Sequence, residues 1–176
     1  TQFISDATPL SGVVPAGGQV TIGVTLDATN LNDGQYFDEL CVSSNDPVTP
    51  DAKGLFNLTV IGFPEIAVDQ DTISFDPLFI GLSSQQTLTV SNVGTKTLEI
   101  SGISSFNADF TLSEAGPLSL LPGGSATVDV TFAPSTAGQI NDLITILRDD
   151  AFGNDFQTVA LTGIGVEPPV VGADPD

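Results

Sequence analysis

The chain has 176 residues, 40% of them hydrophobic, which is enough for one or two domains with a buried core and excludes a disordered tail. It sets 22 acids against three basic residues, Lys53, Lys96 and Arg148, for a formal net charge of −19. Nucleic-acid binding needs a basic surface to displace counterions, so that balance excludes it, and anionic membranes are disfavoured for the same reason.

Taken in chain order, the dominant hydrophobic period is two, with no sustained helical spacing. Val20-Thr21-Ile22-Gly23-Val24-Thr25-Leu26 alternates and predicts a strand over 20–26. Further strands are predicted over 36–43 and 54–61. Cys41, the only cysteine, lies between Leu40 and Val42 and is expected to be a small core residue. One cysteine makes neither an intrachain disulfide nor a cysteine-based zinc site. A domain boundary is expected at Gly62-Phe63-Pro64, with Phe63 either a wedge between domains or an ordinary core residue. A join that short restricts relative motion, unlike a Gly/Ser linker.

Beyond it, strands are predicted over 66–68, 72–75, 86–92, 97–103, 110–112, 126–132, 140–147 and 156–163. Turn residues break the chain about every ten residues, the spacing of a sandwich or barrel. Pro15-Ala16-Gly17-Gly18 and Pro122-Gly123-Gly124 combine a fixed φ with permissive glycines. Asn92-Val93-Gly94-Thr95 reads as a turn whose residues tolerate positive φ. The Pro-rich, acidic tail over 167–176 reads as a linker toward a further domain. No run approaches the ~18 apolar residues of a membrane span. The chain has no Met and opens on Thr1, as a processed product or a fragment would.

Residues 3–62 recur, rewritten, as 110–165. FISDATPLSGVVPAGG from Phe3 matches FTLSEAGPLSLLPGG from Phe110, Gly34-Gln35 matches Gly138-Gln139, and LTVIG from Leu58 matches LTGIG from Leu161. A repeat of that length is one small domain. The second copy is preceded by a long stretch, 63–109, with no counterpart ahead of the first. The expected organisation is the C-terminal half of a sandwich over 1–62 and a complete one over 65–166.

VTFAPSTAGQINDLITI, from Val130, resembles the signature of ASPM/SPD-2/Hydin-type immunoglobulin-like domains, called choice-of-anchor D modules in bacterial surface proteins. SFDPLFIGLSSQQTLTVSNVGTKTLEI, from Ser74, resembles the front half of the same domain, and SSNDP at Ser43 is typical of the bacterial branch. The resemblance implies an all-β fold of tandem immunoglobulin-like antiparallel sandwiches, the first lacking its N-terminal half. It transfers no catalytic residues. It implies an array module of an exported bacterial protein or a ciliary scaffold.

The chemistry agrees. There is no His, so Ser–His and Cys–His nucleophile pairs are excluded. With no Trp and one Tyr, no sugar cleft is expected around a carboxylate pair. The chain is therefore read as no enzyme, with no cofactor. Asp149, Asp150 and Asp155, on one loop with Asn154, would be the ligands if that loop held Ca²⁺. The spacing departs from the twelve-residue calcium loop, and Asp and Asn also stabilise turns, which is the preferred reading. Asn45-Asp46 stands at the matching place in the first copy. Asp27, Asp33, Asp38 and Glu39 form a second, looser cluster, and Asn57-Leu58-Thr59 matches a glycosylation sequon.

The expected role is an extracellular or cell-surface structural module: a stalk, adhesin or filament segment. Its partners would be protein, copies of itself or neighbouring domains. The first copy would be completed by upstream sequence or by strand donation from another chain. The alternative is a Ca²⁺-dependent, glycan- or protein-binding accessory module of a larger secreted protein.

Overall fold

The alternating pattern is realised as fourteen β-strands and, among the described residues, no helix. The computed structural model describes residues 2–149 and 156–170. The chain divides into two units, Thr1–Gly62 and Phe63–Asp176.

The first unit has two antiparallel pairs. β1 (Ile4–Thr8) pairs with β2 (Gly23–Leu26) through a bulge between Ile4 and Asp6. β3 (Gly34–Ser43) pairs with β4 (Asp51–Val60) from Gly34 opposite Val60 to Ser43 opposite Asp51. The two pairs are tied by Asp38, whose Oδ2 accepts the N–H groups of Phe3 at 3.1 Å and Ile4 at 3.2 Å.

The second unit is a sandwich of two sheets. One has the order β10 (Phe110–Leu112), β12 (Ser125–Phe132), β8 (Ser84–Asn92), β5 (Ile66–Val68). The other runs β11 (Leu118–Leu120), β9 (Leu98–Ser104), β13 (Gly138–Asp149), β14 (Phe156–Val166), β6 (Thr72–Ser74), with β7 (Leu78–Phe79) also on β14. Leu88, Val90, Val128 and Val130 of the first sheet meet Leu98, Ile100, Ile144 and Leu161 of the second, all at most 1% exposed. Phe110 stacks on Phe132 with centroids 4.9 Å apart, and Phe75 packs against Phe132 at 5.3 Å.

Within the expected antiparallel sandwich two short pairings differ: β6 and β7 run parallel to β14. After pairing with β8 in one sheet at β5, the chain crosses to the other sheet at β6. A strand that changes sheets instead of turning back through a hairpin is free to arrive parallel. β1, β7 and β11 were not legible as strands, being short edge segments of two to five residues with little alternation to read.

Two motifs have structural explanations. Asn92 is fully buried, and its Nδ2 donates to the carbonyls of Lys96 (2.7 Å) and Leu120 (2.9 Å). Its Oδ1 accepts from the N–H of Gly94 (3.0 Å) and Glu65 (3.3 Å). One side chain thus fastens the end of β8 to the entry of β5 and to β11, and a buried amide satisfied on all sides specifies one arrangement. The expected turn joins β8 to β9, but Gly94 does not use the positive φ it would tolerate. Its requirement is space, because a Cβ there would collide with the backbone of Phe63, Pro64 and Glu65. The Pro15–Gly18 and Pro122–Gly124 turns do match the expectation: Gly17 and Gly123 have φ of 74° and 75°. Each turn closes with a hydrogen bond, Gly18 N–H to the Pro15 carbonyl and Gly124 N–H to the Leu121 carbonyl.

Candidate functional site

The repeat can be followed bond by bond. Ile4 stands opposite Leu26 as Phe110 stands opposite Phe132, and Asp27 N–H donates to Phe3 O as Ala133 N–H donates to Asp109 O. Phe3 therefore occupies the place of Asp109, one residue from the Phe3–Phe110 match in the sequence. Asp38 has its counterpart in Asp142, whose Oδ2 accepts the N–H groups of Phe106 (2.9 Å) and Asn107 (2.8 Å). β1, β2, β3 and β4 thus answer to β10, β12, β13 and β14. The β3–β4 pairing is displaced by two residues from the LTVIG–LTGIG match, since Asp38 faces Phe56 where Asp142 faces Leu161. An even displacement keeps every side chain on its own face.

The first unit contains no described strand answering to β5–β9, and its burial reflects that. Ile22 and Val24 are only half-buried, and Leu26 is 43% exposed. Their counterparts Val128, Val130 and Phe132 are completely buried. Leu40 is half-buried and Val42 is 38% exposed, against 0% for Ile144 and Ile146. Phe56 and Leu58 lie half-buried on the face held by Val159 and Leu161 in the second unit. Of the large apolar residues in the first unit, only Phe3 and Leu31 are buried. The unit therefore carries core-type residues on both strand pairs, with no described strand beside β2 or β3 to complete their burial. Between its two strand pairs runs a groove of about 840 Å³, lined by Ala7, Ile22, Leu40 and Val42 and by the loop Pro9–Val14.

The edges beside this groove are open as well. In the second unit β12 pairs with β10 on one side and β8 on the other, and β13 pairs with β14 and β9. In the first unit, among the described residues, β2 pairs with β1 alone and β3 with β4 alone. Unpaired ladder groups at an edge are a template for another strand.

The remaining candidates are placed as follows. Cys41 is exposed, not a core residue. Even-numbered residues of β3 face the groove, so Cys41 falls on the outer face with Phe37 and Glu39. The cluster of Asp27, Asp33, Asp38 and Glu39 is not assembled into a metal site, and among the described residues no group of three acidic or cysteine side chains is. Asp27 accepts the Thr29 N–H at 2.8 Å and Asp33 the Gly62 N–H at 2.9 Å. Glu39 pairs with Lys53 at 2.9 Å on the exposed surface, and the Lys53 hydrogen bond holds its carboxyl below the ordinary range. The hydrogen bond from the Ile4 N–H is the main cause holding the Asp38 carboxyl low. Asp46 accepts from Val48 N–H (2.7 Å) and Thr49 N–H (3.1 Å), a turn built by its own side chain. Asn57 of the sequon stands exposed on the outer face of β4, opposite Phe37. Asp150 and Asp155, and the side chain of Asp149, lie outside the described residues.

The missing counterpart of 63–109 predicts an open core and open sheet edges, but not which side chains are left half-buried. Alternation marks which side chains share a face but not whether another layer lies upon it.

Comparison with known proteins agrees with this fold. The chain is similar to the ASH/PapD-like domain 7 of human CEP192, with 19% identity, a TM-score of 0.51, and 59% of this chain and 87% of that one covered. It is also similar to the Vibrio cholerae VesB protease (20% identity, TM-score 0.49), covering 56% of this chain and 31% of that one. A protein of unknown function from Porphyromonas gingivalis W83 matches at 16% identity and a TM-score of 0.48, over 81% of this chain and 70% of that one. No curated protein sequence matches the chain significantly. The family model of the HYDIN/CFA65/VesB-like Ig-like domain matches residues 64–163, and the chain belongs to that family.

Proposed function

We propose that the chain is a non-catalytic structural segment of an exported protein, built from immunoglobulin-like modules in tandem. The first unit is the C-terminal half of such a module and the second a complete one. The observation that carries this reading is the matched hydrogen bonding of the two copies along one chain. Asp27 N–H donates to Phe3 O as Ala133 N–H donates to Asp109 O, Asp38 and Asp142 each accept two successive backbone N–H groups, though three residues apart in the aligned copies, and the two Gly-Gly turns close alike. Only residues 61–65 join β4 to β5, so little free chain separates the copies, as suits a spacer. The acidic surface supports solubility without non-specific association.

Two measurements test the reading. A spacer gives a narrow distribution of distances between spin labels placed one on each unit, and a broad distribution typical of a flexible linker would overturn it. An antibody to the chain labels intact producing cells if the protein is exported. Labelling that appears only after lysis would remove the exported part of the proposal.

A further inference from the structure

We infer that the uncovered face of the first unit is a docking site for a polypeptide with the chemistry of residues 63–109. One of its strands adds to the free edge of β2 and a second to the free edge of β3. This rests on the reading of the first unit as the back half of a module.

The second unit supplies the template. There, β8 pairs along β12 with Leu88 opposite Val128 and Gln86 opposite Val130. The chain then crosses the core, and β9 pairs along β13 with Ser104 opposite Thr145 and Ile103 opposite Ile146. The inward residues these strands bring, Leu88, Val90, Leu98, Ile100 and Ile103, are what bury Val128, Val130, Ile144 and Ile146. The first unit repeats the receiving surface in type and order. Ile22 and Val24 stand for Val128 and Val130, and Leu40 and Val42 for Ile144 and Ile146. The groove of about 840 Å³ lies where the inward side chains of the two added strands would go. Burying these apolar side chains favours association, and the two edges offer the main-chain bonds that give strand addition its affinity. The occupant must alternate apolar and polar residues in both strands. A helix or a polar loop would match neither the edges nor the groove.

The register makes a specific demand. Cys41 corresponds to Thr145 and so should face the residue equivalent to Ser104. Directly opposed residues have Cβ atoms ~4.5–5.5 Å apart, within reach of a disulfide after small adjustment. Cys41 is the only thiol of the chain. The test mixes the full 176-residue chain with a synthetic polypeptide of residues 63–109 carrying Ser104→Cys, under mild oxidation. A disulfide to Cys41 is expected, formed on the order of tenfold faster than with the same polypeptide carrying Glu99→Cys instead. Equal rates would mean random thiol collision and would overturn the assigned register and the site.

A second arm removes dependence on the free polypeptide. Residues 63–109 are fused ahead of Thr1, and amide exchange is followed. The amides of β2 and β3 should slow by about tenfold or more as their edges become internal. Unchanged exchange in the fusion overturns the inference. Failure of both arms with a narrow inter-unit distance distribution sinks the docking site alone, whereas a broad distribution sinks the spacer reading.

Discussion

Replacing Asn92 by Ala should be among the most damaging single changes in the second unit, although it removes only a small polar group. The side chain is fully buried and makes four hydrogen bonds. The bond to Leu120 O is buried, and losing it leaves a carbonyl unsatisfied, at about 1–3 kcal/mol. The other three are part-buried and recover some partners from water, so each contributes less, ~0.5 kcal/mol. The sum is about 3 kcal/mol. For a unit of this size that is a fall in melting temperature of roughly 10 °C. Asn92→Asp should cost at least as much, because a carboxylate oxygen would then face the carbonyls of Lys96 and Leu120. Urea denaturation followed by far-ultraviolet circular dichroism measures both. An Asn92→Ala loss below about 1 kcal/mol, or an Asn92→Asp variant as stable as wild type, would refute the account of Asn92 as the fastener of β5, β8 and β11.

Other expectations follow from packing, charge and cover. In Gly163→Ala the new Cβ would lie 2.6 Å from the Phe132 ring, which has no room to retreat, so a loss of about 1–3 kcal/mol is expected in the urea midpoint. Gly102→Ala, whose Cβ would come no nearer than 3.8 Å to Ala115 O, should change the midpoint far less, and equal losses would dispose of the steric explanation. Burial pushes the Asp142 carboxyl up, but the N–H groups of Asn107, Leu143 and Phe106 outweigh it and hold it below the ordinary 3.8. A depressed folded pKa stabilises fully above the unfolded value and is lost as pH falls through the folded one. Wild type should therefore exceed Asp142→Asn in stability at pH 7, with the gap closing below about pH 4. A gap that stayed constant down to about pH 2.5 would contradict this. Finally, the amides of β3 and β4 should exchange far faster than those of β12 and β13, since among the described residues the first unit buries two large apolar residues and the second seventeen. Comparable protection in the two sets would show that the first unit is stable without cover.

Much of the fold was legible because side-chain period is a local property. Alternation located β2, β3, β4 and the long strands of the second unit, and the paired glycines after proline located the turns in both copies. The repeat was legible too, though it placed Phe3 one residue off, and the bulge between Ile4 and Asp6 has no sequence signature there. Cys41 shows the limit of local reading. Its apolar neighbours Leu40 and Val42 made it look internal, yet those neighbours face the groove and place it outside. Gly94 sits in the expected turn, but its steric constraint comes from residues thirty positions away in the chain.

Composition and pattern were sufficient to make this an all-β, strongly acidic chain containing a repeated module, because strand propensity, charge and repetition reside in the residues themselves. The parallel arrival of β6, the four-way role of Asn92 and the bare face of the first unit arise between segments distant in the chain. They depend on which surfaces meet, and only the folded chain shows that β8 and β9 bury Val128 and Ile146 while nothing described covers Ile22 and Val42 in the same way.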